Sequence, residues 1–298
     1  MFRLTERLQI ADTGMEYHCQ ERSDRLRIGL LIRCLAMTCR GQIRWLLAAA
    51  LLLGTPLATT AANAEEPVRI AVASNFAVAM RELVYAFSEE TGGDITVSSA
   101  STGKLFAQIR NGAPFDAFFA ADVSRPQALE VSGHAAAGSR FTYALGELVL
   151  WSADRALSDQ DCRTALLDDD KGKLAIANPR TAPYGVAARQ ALDSLGLLDS
   201  LQGRLVVGEN VAQTLQFAAS GNARFALVSA AQLQGELVEA TGCHWTVPSE
   251  LYEPVEQQAV LLNRRKGAPA AQAFFDFVRS DAGRTIIARQ GYTLPANQ

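Results

Sequence analysis

The chain has 298 residues, of which 49% are hydrophobic and 20% are charged, a balance typical of a globular protein with a large core. This composition excludes a disordered or fibrous protein. The formal net charge of −3 excludes a broadly basic surface, so we expect no nucleic-acid partner.

An apolar run near the N-terminus predicts export. The run reads WLLAAALLLGTPLATTAA over residues 45–62, follows Arg40 and Arg44, and leads into Ala62-Asn63-Ala64. A basic segment, an apolar segment and an A-x-A-like site in this order are typical of a secretory signal peptide. The run is short and is interrupted by glycine and proline, unlike a membrane-spanning helix.

Residues 1–64 are therefore expected to comprise an upstream segment and a signal peptide. A start at Met37 would give a basic segment of ordinary length, so we interpret Met37 as the true start and Ala64 as the last residue removed. The part that remains has 20 basic and 26 acidic residues, a net charge of about −6. A protein this acidic does not draw in an anion through its long-range field, so local dipoles must hold any bound anion.

Two of the five cysteines, Cys162 and Cys243, lie beyond residue 64. An oxidising compartment would permit them to form a disulfide, and two free thiols fit the sequence equally well. Neither cysteine has neighbours at a spacing that suits a metal ion, so we predict no metal site.

Strands and helices alternate along residues 65–298. Short apolar runs predict strands, and apolar residues three and four apart predict amphipathic helices. The predicted strands lie at residues 68–73, 95–98, 118–120, 147–151, 174–177, 205–207, 225–228 and 260–262. Apolar residues at helical spacing lie at residues 80–87, 105–109, 188–195, 211–218, 274–278 and 286–287.

This alternation predicts the α/β fold class with largely parallel sheets. In such sheets ligands lie beyond the carboxyl ends of the strands. No linker or low-complexity tract divides residues 65–298, so a second domain would have to be inserted within the first.

Turns that join a strand to a helix carry neutral hydrogen-bond donors. A helix N-terminus has unsatisfied N–H groups and a partial positive charge, so several such termini facing one cleft would hold an oxyanion. In any single turn, the alternative is that a serine, threonine or asparagine only caps its helix. The donors are Ser74 and Asn75, Ser101 and Thr102, Tyr184, and Asn210.

Common enzyme signatures are absent from the sequence. Beyond residue 64 there are two histidines, His134 and His244, and there is no glycine-rich phosphate loop and no H-E-x-x-H, C-x-x-C or G-x-S-x-G motif. Asp122 is interpreted as a turn or cap former rather than a general base, and Lys104 as a solvated side chain outside the site. We therefore predict a binding protein and not an enzyme.

Five short sequence motifs occur in this order: VASNF, SASTGKL, GAPFDAFFAAD, APYG and GENVAQ, followed by GY-x-LP near the C-terminus. Together they resemble the periplasmic molybdate-binding proteins of ABC transporters over residues 67–298. The resemblance implies a periplasmic protein that captures molybdate or tungstate and delivers it to the membrane permease of an ABC transporter. We expect a monomer without a cofactor, in which molybdenum is present only as the oxyanion.

The resemblance also implies the fold and the site. It implies the two-domain periplasmic-binding-protein fold of type II, with domain 1 at residues 65–146 and 255–298 and domain 2 at residues 147–254. A hinge of two crossing strands would lie near residues 146–152 and 254–260. By position, the molybdate ligands would be Ser74, Asn75, Ser101, Thr102, Tyr184 and Val211, with Val211 using only its backbone N–H.

One position departs from a branch of this family. That branch carries a tyrosine at the end of the strand at residues 225–228, where this chain has Ser229, so we expect Tyr184 to supply the phenol instead. Three alternatives stay open: a carrier of another tetrahedral oxyanion such as sulfate or thiosulfate, an enzyme on the same clamp, and the sensing domain of a transcription regulator. The signal peptide argues against the regulator.

Overall fold

The computed structural model describes residues 66–234, 242–264 and 269–296, so the predicted signal peptide lies outside the described residues. Within these ranges the chain forms ten strands and nine α-helices. No helix in these ranges is long and apolar enough to cross a membrane.

The strands are β1 (Val68–Ala73), β2 (Ile95–Ala100), β3 (Ala117–Phe119), β4 (Phe141–Gly146), β5 (Leu148–Ser152), β6 (Leu174–Ala177), β7 (Leu205–Gly208), β8 (Phe225–Ser229), β9 (Cys243–Thr246) and β10 (Val255–Leu261). The helices are α1 (Ala77–Thr91), α2 (Thr102–Arg110), α3 (Ser124–Val131), α4 (Cys162–Asp168), α5 (Pro183–Ser194), α6 (Leu198–Leu201), α7 (Val211–Ala219), α8 (Pro269–Arg279) and α9 (Asp281–Arg289).

The first sheet has the strand order β2-β1-β3-β10-β4. β1 is parallel to β2 and β3, and β10 is antiparallel to β3 and β4, so β1 to β4 all end at the same edge. Apolar residues dominate β1 and β3 because separate buried clusters lie on the two faces of this sheet.

The second sheet has the strand order β7-β6-β8-β5-β9. β6 is parallel to β7 and β8, so these three strands end at one edge. β5 is antiparallel to β8, and its first residue Leu148 pairs with Ser229, the last residue of β8. β5 therefore begins at the edge where β6, β7 and β8 end.

The chain passes between the two sheets twice. β4 ends at Gly146 and β5 begins at Leu148, so a single residue, Glu147, makes the first passage. The second passage runs from the end of β9 at Thr246 to the start of β10 at Val255. The first passage lies within the predicted hinge segment 146–152, and the second ends where the predicted segment 254–260 begins. The division into two domains stays a prediction.

The structure contains five strands and α-helices that the apolar pattern does not predict: β4, β9, α3, α4 and α6. The last strand, predicted at residues 260–262, instead begins at Val255. Glu256, Gln257 and Gln258 interrupt its apolar pattern, although Gln257 and Gln258 are buried. A prediction that identifies buried strand positions by their apolar side chains cannot find two adjacent polar residues that are buried.

Cys162 and Cys243 form a disulfide that joins α4 to β9. Both residues are buried, and their Cα atoms lie 5.1 Å apart although 81 positions separate them in the sequence. Of the two alternatives that the sequence leaves open, the structure has the paired cysteines.

We expect the double variant Cys162→Ala/Cys243→Ala to lose about 3–4 kcal/mol of unfolding free energy, because the cross-link restricts the unfolded chain over a long loop. Urea unfolding followed by circular dichroism, with and without reductant, measures this loss. Reductant should lower the midpoint of the wild-type protein and leave that of the double variant unchanged. A wild-type midpoint that stays constant after a thiol assay shows full reduction would contradict the prediction.

Candidate functional site

Two turns of the first sheet place four predicted ligands side by side. β1 and β2 are adjacent and parallel, and their last residues, Ala73 and Ala100, are paired. A short 3-10 helix, Ser74–Phe76, begins directly after β1, and Ser101 occupies the N-cap position of α2 directly after β2 without a side-chain hydrogen bond to the helix. The four side chains that the sequence predicts here are all buried: Ser74, Asn75, Ser101 and Thr102.

The second sheet offers the same arrangement at its carboxyl edge. The last residues of β6 and β7, Ala177 and Gly208, are paired, and α5 and α7 follow these strands. Tyr184 lies in the first turn of α5, and Val211 is the first residue of α7, where a backbone N–H has no partner within the helix. Asn210 uses its side chain to accept from the Gln213 N–H, so in this turn the capping alternative holds.

The carboxyl edges of the two sheets face each other. The Gly103 N–H in α2 donates to the Thr181 carbonyl oxygen at 2.8 Å, and the Lys104 ammonium forms an ion pair with the Glu209 carboxylate. The Ser74–Phe76 turn packs against α7. The six predicted residues are therefore brought to one region between the sheets. A cleft of about 590 Å³ between α1 and α7 reaches Ser74 and Asn75.

A network of amide and phenol groups lies at this region. The Asn75 Nδ2 atom donates to the Gln257 Oε1 atom at 2.6 Å and to the Tyr292 hydroxyl at 3.2 Å. The Tyr292 hydroxyl donates in turn to the Asn75 carbonyl oxygen at 2.7 Å. Both amide hydrogens of Asn75 are therefore used within the protein, which leaves its backbone N–H as the group that could reach a ligand.

Tyr184 points into the same network from the second sheet. Its hydroxyl accepts from the Ser229 Oγ atom at 2.8 Å and keeps its own hydrogen to donate. Ser229 thus pairs with the phenol that Tyr184 supplies. Burial raises the pKa of Tyr184, and it raises the pKa values of Tyr143 and Tyr292 as well. All three phenols therefore stay protonated at neutral pH and can act as neutral donors.

Unpaired polar atoms concentrate between the two edges. Among the described residues, four buried side-chain polar atoms have no hydrogen-bond partner, and three of them belong to Ser101, Thr181 and Gln257. The fourth is an Arg204 nitrogen near the start of β7. Leaving a buried donor unpaired costs about 1–3 kcal/mol, so a cluster of such atoms indicates a place for a polar ligand.

The residues excluded by sequence reasoning have structural roles. The Asp122 carboxylate accepts from the Arg125 N–H at 3.0 Å and forms an ion pair with the Arg125 guanidinium, as a capping residue does. Lys104 is committed to Glu209. In the part of the chain that the structure describes, no three His, Cys, Asp or Glu side chains are grouped so that they could hold a metal ion. Sequence reasoning misses Gln257, Thr181 and Tyr292, which lie in the same region.

Gly146 lets the Tyr184 side chain reach this region. A β-carbon at Gly146 would clash with the Tyr184 hydroxyl oxygen and would lie 3.1 Å from the Gln257 Nε2 atom. The last residue of β4 must therefore lack a side chain for the phenol to pass.

We expect Gly146→Ala to lower the free energy of unfolding by about 1–3 kcal/mol, because the new methyl group overpacks a buried site. Gly203→Ala is the matched control, since a β-carbon there meets no atom within 4 Å. The double variant Gly146→Ala/Tyr184→Phe should lose less stability than the sum of the losses measured for Gly146→Ala alone and Tyr184→Phe alone, because phenylalanine lacks the clashing oxygen. Urea unfolding measures the free energy of unfolding of the three single variants and the double variant. Equal losses for Gly146→Ala and Gly203→Ala, or a loss in the double variant equal to the sum of its two single losses, would refute this account.

Comparison with known proteins identifies the family. The chain matches the model for bacterial extracellular solute-binding proteins over residues 68–293. It is 44% identical over 243 residues to the molybdate-binding protein ModA of Azotobacter vinelandii, covering 81% of this chain and 95% of the relative. It is 42% identical over 245 residues to the molybdate-binding protein ModA of Rhodobacter capsulatus, covering 82% of this chain and 94% of the relative.

Solved structures agree with these matches. The periplasmic molybdate-binding protein of Azotobacter vinelandii has a TM-score of 0.72 at 39% identity, covering 76% of this chain and 99% of that one. The sulfate-binding protein SubI from Mycobacterium tuberculosis has a TM-score of 0.62 at 13% identity, covering 77% of this chain and 87% of that one, which shows a shared fold alone. The predicted α/β fold of the type II periplasmic-binding proteins is confirmed. The family resemblance seen in the sequence is confirmed as well: the chain belongs to the bacterial extracellular solute-binding proteins, the family of the molybdate-binding proteins ModA.

Proposed function

We propose that the protein captures molybdate, and tungstate as well, between the facing carboxyl edges of its two sheets and delivers it to the membrane permease of an ABC transporter. The observation that carries the proposal is the set of neutral donors at these edges, where buried polar atoms lack partners. The names of the relatives above, at more than 40% identity, supply the ligand.

A doubly charged oxyanion suits this donor set. Fully ionised molybdate presents only acceptors, so every neutral N–H and O–H group can be used without an opposing acceptor. Helix N-termini add the partial positive charge that makes a lysine or arginine unnecessary. The proposed ligands are the hydroxyls of Ser74, Ser101, Thr102 and Tyr184 and the backbone N–H groups of Asn75 and Val211.

Thr102 illustrates how a donor is prepared. Its Oγ1 atom accepts from the Ala121 N–H at 3.1 Å, which orients the hydroxyl while its hydrogen is left to donate. Ser101 has no partner for its Oγ atom at all. Neither residue can turn out to water, because both are buried.

The two halves would act as a clamp. In this proposal residues 65–146 and 255–298 form one domain, residues 147–254 form the other, and the two passages of the chain between the sheets form the hinge. The Gly103–Thr181 hydrogen bond and the Lys104–Glu209 ion pair would join the domains when the clamp is closed. Rigid donors in a closed cavity would select molybdate and tungstate over the smaller sulfate by size.

The remaining parts of the proposal follow from this role. The protein would be exported by the signal peptide within residues 1–64 and would work in the periplasm as a monomer. It would be a carrier without a cofactor and not an enzyme, since the donor set described above contains no general base or nucleophile in a reactive setting.

We expect molybdate and tungstate to raise the melting temperature of the protein purified after export, because a ligand that binds only the folded state stabilises it. Sulfate and phosphate at the same concentration should have little effect. Tyr184→Phe should weaken molybdate binding about tenfold or more in calorimetric titration, because a hydrogen bond to a charged group is lost. Tyr85→Phe, at a side chain that is 69% exposed, is the matched control and should bind like wild type. An equal shift with sulfate, or none with any oxyanion, would refute the assigned ligand.

Gly103→Ala tests the closed clamp. A β-carbon there would lie 2.9 Å from the Thr181 carbonyl oxygen of the opposite half, so the variant should resist closure. We expect molybdate affinity to fall about tenfold while the ligand-free melting temperature stays near that of wild type, since the clash arises only when the halves meet. Calorimetry and thermal unfolding measure the two quantities; a loss of ligand-free stability with unchanged affinity would contradict the clamp.

A further inference from the structure

We propose that Gln257 is a further ligand of the oxyanion and donates to it from Nε2. This inference rests on the proposed function. It concerns a residue that lies on β10, outside every strand-to-helix turn from which the other ligands come.

The register of β10 places Gln257 at the carboxyl edge of the first sheet. Ala259 pairs with Phe119, the last residue of β3, and the Ala120 N–H donates to the Gln258 carbonyl oxygen at 2.9 Å. Gln257 therefore lies beyond the end of β3, at the edge where the Ser74 and Ser101 turns begin. Its side chain is fully buried.

An irregularity in the sheet lies beside Gln257. The pairing of β10 with β4 shifts between Gln257 and Gln258, which pair with Ala144 and Thr142 and leave Tyr143 as an extra residue. Such bulges redirect side chains and recur beside binding sites. Gln258 donates to Thr142 and Glu256, whereas Gln257 faces the network around Asn75.

Hydrogen bonds fix which end of the Gln257 amide faces which way. Its Oε1 atom accepts from the Asn75 Nδ2 atom at 2.6 Å and lies 3.3 Å from the Tyr143 hydroxyl, which also donates to the Ala120 carbonyl oxygen. The oxygen is thus held among donors, and the Nε2 atom must point away from them. The Nε2 atom has no partner.

The unpaired nitrogen lies close to Tyr184. It lies 3.1 Å from the place that a β-carbon of Gly146 would take, and the Tyr184 hydroxyl reaches the same place from the second sheet. The phenol has a hydrogen left to donate, because Ser229 supplies the bond that it accepts. Two neutral donors from opposite sheets therefore lie close together beside Gly146, and an oxyanion bound there could accept from both.

The proposal gives Asn75 a second role. Because its amide donates to Gln257, the side chain of Asn75 is a positioning residue for the Gln257 amide, while its backbone N–H serves the anion. The ligand would thus contact the strand that returns the chain from the second sheet to the first.

Gln257→Glu separates donation from positioning. Glutamate has the same size and still offers an oxygen to Asn75, but it replaces the N–H donor by a carboxylate oxygen that repels the anion. We expect the Kd for molybdate to rise about 100-fold at about pH 8, and the loss to shrink toward about pH 5.5 as the buried carboxyl is protonated. Gln190→Glu is the matched control: it adds the same charge within α5, where the amide oxygen accepts from the Glu253 N–H, and should change the Kd by less than about threefold.

Calorimetric titration of the exported protein with sodium molybdate measures these constants, and ligand-free melting temperatures show whether each variant is folded. Should Gln257→Glu fail to fold, Gln257→Met, which has similar length and no donor, must lose affinity about tenfold at every pH. A Gln257→Glu protein that binds within threefold of wild type at about pH 8, or a loss independent of pH, would overturn the proposal. If the wild-type protein binds no oxyanion, both the proposed function and this inference are wrong. If the wild-type protein binds molybdate and the folded Gln257 variants have the same Kd, only this inference is wrong.

Discussion

The passage of the chain through Glu147, a single residue between β4 and β5, constrains everything else in the structure. β4 runs in the same direction as β1, β2 and β3, and β5 begins at the edge where β8 ends. Because this passage is only one residue long, the carboxyl edges of the two sheets must lie near each other. All strand-to-helix turns of both sheets, with the positive ends of their helices, then converge on one region.

That convergence would be unfavourable without the network beneath it. Buried phenols and amides cost free energy unless they are paired, and Asn75 pairs with both Tyr292 and Gln257, which lie on elements far from it in the chain. Phe76 and the ring of Tyr143 pack beside these groups, with centroids 4.6 Å apart, so the polar network rests on an aromatic support. Among the described residues, the unpaired side-chain atoms of Ser101, Thr181 and Gln257 lie where the two edges meet.

Much of this could be predicted from the sequence, and the exceptions have physical causes. The turn residues at Ser74 and Ser101 are found because a strand and a helix of clear period flank them. Gln257 is missed because its strand is polar, and its burial depends on partners that the local pattern does not contain. The sequence does not decide whether Cys162 and Cys243 form a disulfide, because a separation of 81 residues along the chain carries no information about their distance in space. Asn210 shows the opposite case, a turn donor that only caps its helix.

The neutral character of the proposed donors has one further consequence. None of them is a cation, and Lys104 nearby is committed to Glu209, so nothing in the donor set cancels the charge of a bound dianion. A loaded carrier would therefore bear two more negative charges than an empty one. The two forms would migrate at different rates in native electrophoresis, and a membrane partner would meet carriers of different electrostatic potential before any difference in shape is sensed.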